Sequence, residues 1–208
     1  MRADLIREFI KASYAAVPPL DIADEYILDV ALSNKTALVY FNKDTKKAVV
    51  IHRGTKGVSD WANNAAYVTG YYKMTNRYKT GKSVQKAAER KYGADNVTTL
   101  GHSQGSVIAR NVGRDSKQVI NVNPAWLGES QLKNEYVVRS EGDPVSKAYA
   151  LKTGMSGVLF PTWSKKHNVV IASNPTASWA EEHNSDVLQR LGSREIGGGH
   201  ISTLPKSW

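Results

Sequence analysis

From residue 83 onward the chain alternates short β-branched runs with amphipathic segments, and that order admits few folds. NVTTL, QVINVN, EYVVRS and NVVIAS read as buried strands. SVQKAAERKYG, GSVIARNVG and HNSDVLQRLG read as helices closed by Gly93, Gly113 and Gly192, with a further short helix around SKAYALK. Strands separated by helices pair in parallel, and the helices must cover both faces of the sheet. Upstream, MRADLIREFIKASYAAVPPL reads as an amphipathic helix, and EYILDVAL, TALVYFN and AVVIH as strands joined through the turn residues SNK and NKDTKK. No repeat, low-complexity tract or linker interrupts this order, so the expectation is one α/β domain over residues 1–208.

With no cysteine, the chain has no disulfide framework, thiol nucleophile or thiolate metal site, and its chemistry must run on oxygen or nitrogen. There is no HExxH or comparable ligand cluster, so neither a metal nor a cofactor is expected. No apolar run approaches the ~18 residues of a membrane span. The first helix is interrupted by Asp4, Arg7, Glu8 and Lys11, so it does not read as a signal peptide and an intracellular or virion-associated protein is expected.

The net charge of +9 is unevenly spread, with seven Lys/Arg against seven Asp/Glu in residues 1–50 and nine against three in residues 51–100. Lys73, Arg77, Lys79, Lys82, Lys86, Arg90 and Lys91 crowd one stretch with Tyr72 and Tyr78 interleaved, opposed by Glu89 alone. Such a surface attracts phosphate-bearing partners, an anionic membrane or nucleic acid, although a solvated face that keeps the protein soluble has the same composition.

The pentapeptide Gly101-His102-Ser103-Gln104-Gly105 stands between the strand NVTTL and the helix GSVIARNVG. There a sharp turn lifts a serine hydroxyl above the sheet, and the glycines let strand and helix approach. A serine at a helix start can also be a simple cap, but a cap needs no glycine on either side. A serine nucleophile requires a base and an acid to orient that base. Hydrolases with this elbow order them Ser, acid, His. Asp143 follows the strand EYVVRS across the turn EGDP, whereas Asp115, Glu129, Glu135 and Glu141 read as solvated charges. His183 follows the strand NVVIAS across NPTASWAEE and is expected to begin a helix; His200, in GGGH, is the other candidate base. His167 precedes its strand, at the wrong end, and His52 and His102 read as packed or backbone-bonding side chains. Oxyanion donors are expected from the backbone N–H of Gln104 and from the loop at Gly54-Thr55.

VVIHRGTKGVSDW followed by NVTTLGHSQGSVIAR resembles the class 3 lipase family of α/β-hydrolases, whose members show Arg-Gly-Ser/Thr, a downstream Asp/Asn-Trp and a Gly-His-Ser-x-Gly elbow. The resemblance spans about residues 36 to 190. It implies an α/β-hydrolase-like fold, Ser103, Asp143 and His183 as a triad, Thr55 with Gln104 as the oxyanion hole, and Trp61 in a lid segment. Gln104 and Ser106 stand where the family usually has Leu and Gly, and the short, cysteine-free chain is closer to compact bacterial or viral members than to secreted fungal lipases. The implied activity is hydrolysis of carboxylic esters through an acyl-enzyme on Ser103. Lipid esters, acylglycerol or phospholipid, are favoured by the apolar and aromatic residues Trp61, Ala62, Ala65, Ala66, Tyr67, Tyr71 and Tyr72. The competing expectation is a hydrolase fold kept as a non-catalytic basic module that grips nucleic acid or an anionic membrane through residues 71–92.

Overall fold

The computed structural model describes residues 1–54, 75–125, 132–145 and 167–197. Within them an eight-stranded sheet runs in the order of the sequence. Strands β1 (Asp21–Ile22), β2 (Tyr26–Leu28), β3 (Ala37–Asn42) and β4 (Ala48–His52) pair antiparallel; β4, β5 (Val97–His102), β6 (Gln118–Val122), β7 (Glu135–Ser140) and β8 (Asn168–Ile171) pair parallel. The strands are apolar on both faces because both are covered, as parallel sheets require.

Side-chain alternation divides the core. Leu38, Tyr40, Val49, Ile51, Leu100 and Ile120 face helix α1 (Ala3–Tyr14), whose Ile6, Phe9 and Ile10 are fully buried, and the 3-10 helix Ser185–Leu191. Val39, Val50 and Val97 face helix α2 (Asn76–Tyr92) through Val84 and Ala88. Burial of each large aliphatic side chain contributes about 2 kcal/mol. Register carries the core across the strands, with Leu100 paired to Ile51 on one side and Ile120 on the other.

Several local expectations shift. Helix α2 begins seven residues before SVQK, because the Thr75 side chain caps it by accepting from the Tyr78 N–H at 3.2 Å. EYILDVAL shortens to Tyr26–Leu28, since Asp29 turns the chain by accepting from the Leu32 N–H at 3.3 Å. HNSDVLQRLG forms the 3-10 helix rather than an α-helix, ending at Gly192 with φ 57°. The segment around SKAYALK lies outside the described residues. Helix α3 (Gln104–Val112) follows β5 after one residue, Ser103, so that residue stands at the carboxyl edge of the parallel sheet.

Candidate active site

Ser103 has φ 53° and ψ −128°, a conformation that costs a non-glycine residue roughly 1–3 kcal/mol. It occupies the N-cap position of α3 yet makes no side-chain capping bond, so capping is not what the hydroxyl does there. Both flanking glycines are required by close approach. A methyl group on Gly101 would collide with the Ser106 backbone and the Asn121 side chain, and one on Gly105 with the carbonyl group of His52. The strand and helix thus touch on either side of the serine.

Three distant side chains meet at this turn. His183 Nε2 lies 2.9 Å from Ser103 Oγ, and its Nδ1 lies 2.6 Å from Asp143 Oδ1. Asp143 is fully buried, and Ser103 and His183 are 7% and 5% exposed, so the line is shielded from water. A carboxylate can only accept, which puts the neutral ring's proton on Nδ1 and leaves Nε2 to accept from the serine hydroxyl. Of the two candidate bases, His183 holds this place; His200 lies outside the described residues.

His183 does not begin a helix. It ends one, α4 (Trp179–His183), within the segment expected to be loop. Ser178 accepts from the Glu181 N–H while Glu181 accepts from the Ser178 N–H, a capping box that was legible as Ser-x-x-Glu. The turn then continues through Asn184 into the 3-10 helix.

Around the line stand residues that sequence reasoning missed. Glu182 is buried; it accepts from both guanidinium nitrogens of Arg190 at 2.7 and 3.1 Å, from the Asn174 N–H at 2.9 Å and from the Ser140 hydroxyl. Burial alone would raise its pKa, but the hydrogen bonds from Arg190, Ser140 and Asn174 outweigh that and hold it below the usual carboxylate range. Gly142 is glycine because the Glu182 side chain lies against it. Asn123 donates to the Glu182 carbonyl at 2.9 Å and accepts from the Ser140 N–H at 2.9 Å, joining the segments that lead to His183 and Asp143.

His102 is the other anchor. Its Nε2 lies 2.9 Å from the His183 carbonyl oxygen, which can only accept, so Nε2 carries the proton. Burial, with the neighbouring His183, pushes its pKa down to about 4 and keeps the ring neutral. Nδ1 therefore accepts from the Tyr14 hydroxyl at 2.8 Å, and the Tyr14 oxygen accepts from the Gly54 N–H at 2.9 Å. Gly54 thus spends its N–H on Tyr14; Thr55, the other residue expected to contribute at this loop, lies outside the described residues. The Gln104 N–H heads α3, at the positive end of its dipole.

His52 is fully buried, bonded to Gln85 at 3.2 Å and pushed by burial down to about 4; His167 packs on the Tyr136 ring at 4.4 Å. Neither joins the site. Glu135 is not a solvated charge: it is fully buried, accepting from Asn121 at 2.8 Å and the Leu132 N–H at 2.9 Å, with Arg110 at 3.4 Å. The polar atoms of α3 and β6 need a partner below the elbow, and an isolated acidic letter could not reveal that.

Of the basic stretch, Lys79, Lys82 and Arg90 are exposed on α2, Lys86 pairs with Glu89 and Asp115, Lys91 pairs with Asp29, and Arg77 is half-buried. Lys73 and the residues from Trp61 to Tyr72 lie outside the described residues. Among the described residues no group of three or more His, Asp or Glu could hold a metal ion, and no helix is long and apolar enough to cross a membrane.

No protein-family model matches the chain, and no curated protein matches it in sequence. Several solved structures resemble its backbone, three lipases among them. A Rhizomucor miehei lipase propeptide complex is 13% identical over 69% of this chain, with a TM-score of 0.49; this chain spans 61% of that one. Lip2 lipase from Yarrowia lipolytica is 11% identical over 68% of this chain and 72% of that one, with a TM-score of 0.45. A triacylglycerol lipase from Penicillium expansum is 17% identical over 96% of this chain and 91% of that one, with a TM-score of 0.47. The mostly parallel sheet, covered on both faces and carrying a serine at a strand-to-helix elbow, is an α/β-hydrolase-like fold.

Proposed function

We propose that this protein is a serine hydrolase that cleaves carboxylic esters through an acyl-enzyme on Ser103. The observation that carries the reading is the hydrogen-bonded line from Ser103 Oγ through both nitrogens of His183 to Asp143. In this reading Ser103 Oγ attacks the ester carbonyl carbon as its proton passes to His183 Nε2. Asp143 holds the ring and stabilises the imidazolium. The tetrahedral oxyanion is met by the N–H groups of Gln104 and Thr55, donors of a kind typically worth about 3 kcal/mol each. Collapse of the intermediate breaks the bond to the alcohol, which leaves with the proton from His183. Water, deprotonated by the same ring, then hydrolyses the acyl-serine and restores the hydroxyl.

Lipid esters, acylglycerol or phospholipid, are the substrate class we favour, supported by the aromatic and apolar residues between Trp61 and Tyr72 in the sequence. Because α2 runs down the side of the sheet, Arg90 stands roughly 20 Å below Arg77, at 1.5 Å per residue. An anionic surface at the site mouth would therefore meet the first turns of α2, not the whole basic stretch.

A fluorophosphonate probe tests the reading. Stoichiometric labelling of the wild type, absent in Ser103→Ala of unchanged melting temperature, together with a burst of nitrophenol from a nitrophenyl ester, is the expected result. A protein that neither labels nor turns over such an ester would instead be the binding module.

A further inference from the structure

The sheet places the site's two flanks on different strands. His183 and Asp143 approach Ser103 from the side of β6 to β8, and the other side, at the end of β4, belongs to Arg53 and Gly54. Gly54 lies directly against the serine, since a methyl group there would come within 3.0 Å of Ser103 Cβ. Arg53 is its immediate neighbour. Across from it, Gly81 of α2 lies against the His52 ring, with 3.2 Å from its would-be methyl to His52 Nδ1. Arg77 precedes Gly81 by one helical turn on the same face, toward the N-terminal end of α2.

Among the described residues these two cations have no counter-ion. Among the described residues neither Arg53 nor Arg77 makes an ion pair or a side-chain hydrogen bond, and Arg53 Nε and Arg77 Nη2 are both buried without an acceptor. Buried donors without acceptors are rare, and two guanidinium groups near one hydroxyl repel. The Tyr14 hydroxyl, which accepts from the Gly54 N–H at 2.9 Å, lies within the field of both positive charges. The contrast with Lys86, Lys91 and Arg190, each matched to a carboxylate, is sharp.

We infer that Arg53 and Arg77 form a subsite for an anionic phosphate group carried by the ester substrate, on the β4 side of Ser103. A planar, forked donor suits a tetrahedral oxyanion better than a lysine does. The subsite rests on the ester-hydrolase reading and narrows it: the preferred substrates are acyl esters of a phosphate-bearing alcohol, as in anionic phospholipids. A phosphate held there would place the acyl carbonyl over Ser103, between the arginines and His183.

The test compares kcat/KM for dibutyrylglycerol phosphate and dibutyrylglycerol, soluble esters that share acyl chains. The wild type should favour the phosphate ester about tenfold or more, and Arg77→Gln and Arg53→Gln should each cut that ratio about tenfold, with Arg77→Lys recovering part of it. Equal loss on both esters, or no preference in the wild type, overturns the subsite. Inorganic phosphate that competes as well as the ester itself would assign the arginines to free phosphate and also overturn it. If no ester is cleaved and the probe does not label Ser103, the hydrolase reading fails by itself. Calorimetry of dibutyrylglycerol phosphate binding to Ser103→Ala, with and without Arg77→Gln, then reads the arginines alone: weaker binding on loss of Arg77 supports them as the anion contact, and unchanged or absent binding overturns it.

Discussion

His102 Nε2 stands 2.9 Å from the carbonyl oxygen of His183, so the residue just before Ser103 holds the residue that faces Ser103. The two rings are 5.5 Å apart, close enough that a charge on one acts on the other. A neutral His102 is therefore compatible with a proton passing to His183; burial keeps it in that form, and its Nδ1 accepts from the Tyr14 hydroxyl.

Tyr14→Phe keeps the edge-on ring packing and removes one oxygen. The Gly54 N–H and His102 Nδ1 then lose their partner, at a cost of about 1–3 kcal/mol in stability. Turnover of a nitrophenyl ester should fall about tenfold in kcat with KM little changed, because what is disturbed is the alignment of the loop and the base. Steady-state kinetics and a thermal melt read both effects; a change in KM alone would contradict the alignment role.

Ser103→Gly should melt higher than Ser103→Ala. Both lack the hydroxyl, but only glycine adopts φ 53° without strain, and the difference is expected to be about 1 kcal/mol. Differential scanning calorimetry of the pair measures the strain held at the elbow.

His183→Ala should abolish fluorophosphonate labelling, and His200→Ala should leave labelling near wild type, because His183 already spans Ser103 and Asp143. The reverse pattern would move the base to the other histidine.

Stability should decline as the pH falls from about 6.5 to 4. His52 and His102, each pushed by burial from 6.5 to about 4, stay neutral when folded while the unfolded chain takes up protons, so more protons are bound on unfolding. Each contributes roughly 3 kcal/mol across that window. From the lower end of that window Glu182 adds a loss of the same sign: its stabilisation is complete above the ordinary carboxylate pKa and disappears as pH falls through its lowered value. Denaturant melts at several pH values check the slope, and His102→Gln should remove about half of the loss between 6.5 and 4.

Gly142→Ala and Glu182→Gln should both damage the site from outside it. A methyl group on Gly142 would be driven against the Glu182 side chain, and loss of the Glu182 charge leaves Arg190 unpaired, each costing about 3 kcal/mol. Since Asp143 follows Gly142 and His183 follows Glu182, probe labelling should fall along with stability.

Much of the molecule was legible as pattern. Alternating strands and helices dictated the parallel sheet, and Gly101 and Gly105 marked the elbow, because period and close approach are properties of neighbouring residues. The order Ser103, Asp143, His183 could be proposed from which strand each residue follows. The Ser178-x-x-Glu181 box was also local, and would have placed a helix start ahead of His183. Other relations have no local signature. Tyr14 lies 88 residues from His102, Glu182 lies 42 from Ser140, and Glu135 looks like any surface acid until Asn121 and Arg110 close over it. Chain order fixed which residues reach the carboxyl edge of the sheet; only folding decided which buried polar atoms find one another there, since their partners are set by packing across strands and not by spacing along the chain.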